Sequence, residues 1–159
     1  MTLPLNIIFP EDPSELNREL TFMYQDIART VNGFNETWTP VIEGGTASGA
    51  GTYSSQKGNY YKQGLMVDCW FSIVMSAHSG TGDMKVKLPF KVKNLSDVWI
   101  GEVLDSNVTY PSGTHLVLQG INNTMYARIV ACGDGIASAN VQVDGTAEIN
   151  GHIRYMEAI

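Results

Sequence analysis

Three histidines, two cysteines and a scatter of carboxylates are the groups in this chain that could do chemistry. His78, His115 and His152 lie far apart, with no HExxH or H-x-H pattern and no carboxylate at metal-ligand spacing. His78 reads as a surface-loop histidine near Asp83, and His152 as an exposed residue on the polar face of a strand. Glycoside hydrolysis needs two carboxylates about 5–10 Å apart across a sugar. Asp68, Glu102 and Asp105 are candidates, but a β-domain of any function carries several such residues. Ser48 and Ser79 sit in glycine-rich loops without a GxSxG frame or a His/Asp pair. The run from Gly44 to Gly51 completes neither GxxxxGK[ST] nor GxGxxG, and no helix follows it, so it reads as a flexible connection. The loops around Asp83 and Asp134 offer one Asp each, too few for calcium. The expectation is a non-enzymatic chain with no catalytic residue, cofactor or metal site.

Aromatic and sulfur groups leave alternatives open. Tyr53, Tyr60, Tyr61, Trp99 and Tyr110 could stack on sugar rings or fill core and interface. Cys69 and Cys132 each lie in an apolar strand-like run, outside any CxxC or Cys/His cluster. Buried free thiols and a disulfide both fit, since spacing cannot show proximity.

The elements that must position these groups centre on residues 65–90. LMVDCWFSIVMSA is apolar at every odd position from Leu65 to Ala77, the period of a strand with one face in a core. At roughly 3.3 Å per residue it would span on the order of 40 Å, so a bend or bulge is expected. Its other face carries Met66, Trp70 and Val74, which need cover from another layer or subunit and are candidate subunit contacts. After His78-Ser79-Gly80-Thr81-Gly82, Met84 to Phe90 alternates again with Lys85 and Lys87 outward. The pair reads as a hairpin with one buried and one basic face.

The run GTYSSQKGNYYKQGLMVDCWFSIVMSAHSGTGDMKVKLPFKV resembles segments of tailed-bacteriophage virion proteins, both tail-fibre tips and head-decoration proteins. The shared elements are the TYS strand, the G-x-YYKQG turn, the long apolar strand, the S-x-HSGTG loop and the LPF strand end. The resemblance covers Trp38 to Val92. It implies a virion protein assembled in the bacterial cytoplasm, with a jelly-roll-like body.

Composition agrees with an all-β body. Only 16% of the 159 residues are charged, and 16 are glycine. A formal net charge of −6, with Lys and Arg nowhere concentrated beyond the KVK pairs, argues against nucleic acid as a partner. No stretch has the apolar length of a membrane span, and MTLPLNIIFP lacks the basic start and cleavage site of a signal peptide. The N-x-Ser/Thr triplets at Asn35, Asn94, Asn107 and Asn122 are then chance.

In chain order, Met1 to Pro10 reads as an apolar extended arm, and Asp12 to Asn32 as a helix. Asp12 would be its N-cap, Pro13 its first residue and Gly33 its stop. Leu16, Leu20, Met23 and Ile27 follow a 4-3-4 spacing that Tyr24 and Val31 widen. A helix of this length is marginal alone in water. It either caps its own β-body or meets copies of itself, and its place near the N-terminus and the resemblance favour a homotrimer. Residues 37–159 read as short strands separated by turns, at Thr39–Ile42, Gly51–Ser54, Asn59–Gln63, Val98–Leu104, Thr114–Gln119, Met125–Ala131, Asn140–Val143 and Thr146–Met156 beside the central pair. The expected fold is mainly β, an antiparallel jelly-roll-like β-sandwich (37–159) behind an arm and an attachment helix (1–36). The expected function is a tail-fibre or tail-associated component that displays the sandwich toward host-surface glycans. Two alternatives stand beside it: a capsid decoration protein clamping coat subunits, and a carbohydrate-binding or glycan-cleaving module.

Overall fold

A computed structural model describes residues 13–95 and 99–159. The expected arm and the N-cap at Asp12 lie outside those residues. Helix α1 spans Pro13–Asn32 and stops at Gly33, whose φ of 73° is left-handed. A Cβ at Gly33 would also collide with the Tyr61 ring, so glycine is required there twice over.

Ten strands follow: β1 (Phe34–Trp38), β2 (Ile42–Gly44), β3 (Gly51–Gln63), β4 (Met66–His78), β5 (Met84–Lys87), β6 (Ile100–Ser106), β7 (His115–Ile121), β8 (Tyr126–Gly133), β9 (Ile136–Asn140) and β10 (Ala147–Met156). All pairings between them are antiparallel. They form one curled sheet in the order β1-β3-β4-β10-β6-β7-β8-β5-β2, with β9 on β8. Its two halves enclose a single apolar core, which makes the body mainly β and sandwich-like.

β4 is central, as its alternation implies. Val67, Cys69, Phe71, Ile73 and Met75 are buried, while Asp68, Trp70, Ser72 and Val74 face outward. Ten residues of β10 pair with it, setting Ile149 beside Ile73, Ile153 beside Cys69 and Tyr155 beside Val67. The expected irregularity falls on its partner, where β3 shifts register around Tyr53 and Ser55. β3 is one thirteen-residue strand where the sequence suggested two short ones. Gly58 interrupts the pattern, but Trp38 on β1 lies directly over it and supplies the missing contact.

β4 and β5 are not a hairpin. β4 pairs with β3 and β10, whereas β5 pairs with β8 and β2 in the opposite half of the curl. Alternation tells which face of a strand is buried and is silent about its neighbour.

The glycine-rich run after β2 is also not a loose connection. Thr46 N–H and Ala47 N–H donate to Thr81 O, Thr81 N–H returns to Ala47 O, and Ser79 N–H donates to Ala50 O. The two glycine loops interlock at backbone distance, and a Cβ on Gly49 would overlap Gly80.

The curl is drawn shut by side chains reaching across to backbone. Tyr53 OH accepts from Ile42 N–H at 3.0 Å and donates to Ile42 O at 3.3 Å. Gln56 Nε2 donates to Pro40 O at 2.8 Å, and Trp38 Nε1 to Lys87 O at 3.2 Å. Tyr155 OH bridges Phe90 N–H and O, both at 3.2 Å, and the Tyr60 and Phe90 rings meet edge to face at 5.1 Å.

At the middle of the β4–β10 pair, the buried Phe71 ring lies on Gly151, where a Cβ would come within 2.4 Å of it. We expect Gly151→Ala to cost about 1–3 kcal/mol by overpacking. Urea unfolding of both proteins checks it, and an unchanged midpoint would refute that packing.

Candidate functional site

The most distinctive surface is the side of α1 singled out by its apolar spacing. Leu20, Met23, Tyr24, Ile27 and Val31 are all exposed, with Leu20 at 53% and Tyr24 at 74%, and Phe22 joins them. Leu16 is half-buried. The helix meets β3 at its C-terminal end. There Tyr61 OH donates to Asn32 O at 2.7 Å and Gln63 Nε2 to Val31 O at 2.6 Å, satisfying carbonyls that the helix itself cannot. The stripe is therefore held outward from β3, and Leu20, Met23, Tyr24 and Ile27 border a shallow apolar groove along it.

A second surface is the outer face of β4, β10 and β6. Of the three outward residues expected as subunit contacts, Met66 and Val74 are half-buried and Trp70 is exposed. Trp70 is partly covered from within the chain, stacked on His152 with centroids 5.1 Å apart and planes 16° apart. His152 Nε2 lies 2.5 Å from Asp68 Oδ1, and Arg154 Nε stands 3.7 Å from Asp68 Oδ2. On the other side of β10, Glu102 pairs with His152 across the strands. Trp70, Glu102, Leu104, Asn150 and His152 line a shallow depression there.

Two of the three candidate carboxylates thus share a face. Asp68 and Glu102 flank β10 from opposite sides, while Asp105 accepts from Tyr110 OH at 3.4 Å. Asp68 is already engaged by His152 and Arg154. His152 is not the freely exposed histidine its position suggested. Neither is His78, whose Nδ1 accepts from Gly80 N–H at 2.9 Å while Nε2 lies 3.0 Å from Ile42 O. That ring pins the interlocked loops to β2. Among the described residues no group of three His, Cys, Asp or Glu could hold a metal.

The aromatic candidates mostly serve the fold. Tyr60 is buried, with its hydroxyl on Glu36 at 2.7 Å, and Tyr53 and Tyr61 hold β2 and the helix end. On the β-body the exposed aromatic beside polar groups is Trp70, which the sequence marked for a different reason, as one of three bulky groups on the outer face of a long strand that need cover.

No family model and no curated protein matches the sequence. Among solved structures, the Dettilon tailspike protein aligns with 76% of this chain at 15% identity and a TM-score of 0.54. The chain spans about a quarter of that protein's length, 23%. The likeness is one of fold. No helix of the described residues is long and apolar enough to cross a membrane.

Both cysteines are free thiols. Burial pushes the Cys69 thiol up to about 12, with a hydrogen bond to Tyr155 opposing the shift in part. At pH 8 that leaves about one part in ten thousand as thiolate, the reactive form. Cys132 is only half-buried. In the native protein we expect an aromatic disulfide reagent to titrate Cys132 alone, and both thiols after denaturation. Two fast native thiols would contradict the burial of Cys69.

Proposed function

We propose that this chain is a non-enzymatic structural component of a bacteriophage tail, assembled as a homotrimer through α1 and displaying the β-body outward. The observation that carries the reading is the apolar side of α1, uncovered on a body whose own core is already closed. Water is a poor solvent for such a stripe, and a helix of twenty residues gains its stability by packing. A sister helix offers the same 4-3-4 spacing in return, as in a coiled-coil seam. The fold likeness to a tailspike protein supports the tail as the place, and the resemblance of residues 38–92 to tail-fibre and head-decoration segments supports a virion protein. In this arrangement Met66, Trp70 and Val74 belong to a face turned toward a neighbouring body or a host-surface glycan.

Light scattering on the full-length chain at micromolar concentration tests this. The expected mass is that of three chains. Leu20→Asp with Ile27→Asp leaves carboxylates in an apolar seam, at a cost of several kcal/mol, and weakens association by about a hundredfold or more. The β-sheet circular dichroism and melting of the body stay as they were. A monomeric wild-type chain, or a double variant that assembles as well as wild type, would overturn the proposal.

A further inference from the structure

Away from α1, the outer face of the other half of the sheet carries two neighbouring cations. Lys85 on β5 and Arg128 on β8 are directly paired across the strands, so two cations stand side by side. Like charges in that position destabilise a sheet. Both residues are half-buried, in a chain with a formal net charge of −6. Among the described residues no carboxylate forms an ion pair with either.

Glu43 pairs with Lys85 on its other side, and its Oε2 accepts from the hydroxyl of Tyr126 at 3.0 Å, so Lys85 has an acid beside it and Arg128 does not. Asp83 takes Asn140 Nδ2 at 2.7 Å on one oxygen and Gln142 Nε2 at 3.0 Å on the other. Lys85 Nζ lies over the Tyr126 ring, 4.9 Å from its centroid. Arg128 donates from Nε to Gln119 Oε1 at 2.5 Å, which orients the guanidinium and leaves its two terminal amino groups for another acceptor.

Arg128 borders a depression of about 390 Å³. It is lined by Ile100, Val117, Val130 and Cys132, and by the polar Gln119 and, on β9, Ser138 and Asn140. Ile100 is 63% exposed at its edge. An oriented guanidinium favours a carboxylate, which it binds through two parallel hydrogen bonds. A lining otherwise without rings or charges favours a compact, partly apolar body behind that carboxylate.

We propose that this depression binds a carboxylate carried on a small, partly apolar body, either an acidic sugar or a short aliphatic acid. Arg128 holds the carboxylate. Ser138 and Asn140 meet hydroxyl groups where the body is a sugar. The site does not depend on how α1 assembles.

Calorimetric titration of the full-length chain with glucuronate, N-acetylneuraminate and hexanoate tests it, with glucose and the methyl ester of glucuronate as uncharged controls. We expect at least one acid to bind and both controls to fail. Tighter binding of a sugar acid assigns the polar side chains to hydroxyl contacts, and tighter binding of hexanoate assigns the apolar ones to an alkyl chain. Arg128→Gln should weaken the acid by about tenfold or more, the loss of a charge-assisted bond. Ile100→Glu changes an exposed residue and places a carboxylate across from Gln119, so it should block the site without depending on the fate of the Arg128 variant. Absence of binding by all three acids, or binding unchanged in both variants, overturns the proposal and leaves the light-scattering result standing.

Discussion

A helix with its apolar side in water is the constraint that organises this molecule. The β-body offers that side no groove. Its interior is already full, from Ile42 on β2 through the buried faces of β4 and β10 to Ile129 on β8. Tyr53, Gln56 and Trp38 draw the ends of the curl together by bonding to backbone across it. Tyr61 and Gln63 then hold α1 by its last carbonyls, and the chain turns through a left-handed Gly33 between helix and body. Among the described residues nothing covers the stripe.

The body separates its two faces by strand alternation. Among the described residues no charged side chain is buried, and the polar groups that do reach the interior are the Cys69 thiol and the hydroxyls of Tyr60 and Tyr155. The charged groups are thereby left on the outer face. Two different surfaces result. Around Trp70, an aromatic pair is framed by Asp68, Glu102 and Arg154. Around Arg128, a single guanidinium borders a largely aliphatic depression.

Much of this was legible in the residues. The alternation from Val67 to Met75 and the later one from Ala147 to Tyr155 named the core correctly, because period-two burial is a local property of a strand, whereas Ala77 at the end of β4 is exposed and Leu65 half-buried. The helix and its glycine stop were equally local. Partner choice was not. β5 alternates as cleanly as β4, yet its pairing with β8 and β2 is decided by how the whole sheet curls. β9 went unseen because all five of its residues are exposed, which leaves no pattern to read. The glycine run looked slack because its order comes from backbone bonds to a second loop thirty residues on. Lys85 showed only as the wet face of a strand. Its pairing with Arg128 joins residues more than forty apart, and no spacing rule reaches that far.

The claim that α1 is a contact surface between copies is tested most directly by hydrogen exchange of its own amides across a range of protein concentrations. Packed against sister helices, residues 16–31 should be strongly protected at high concentration and lose that protection together on dilution, while β4 and β10 stay protected throughout. Rapid exchange along α1 at every concentration, or protection that ignores concentration in a chain of monomeric mass, would contradict the account.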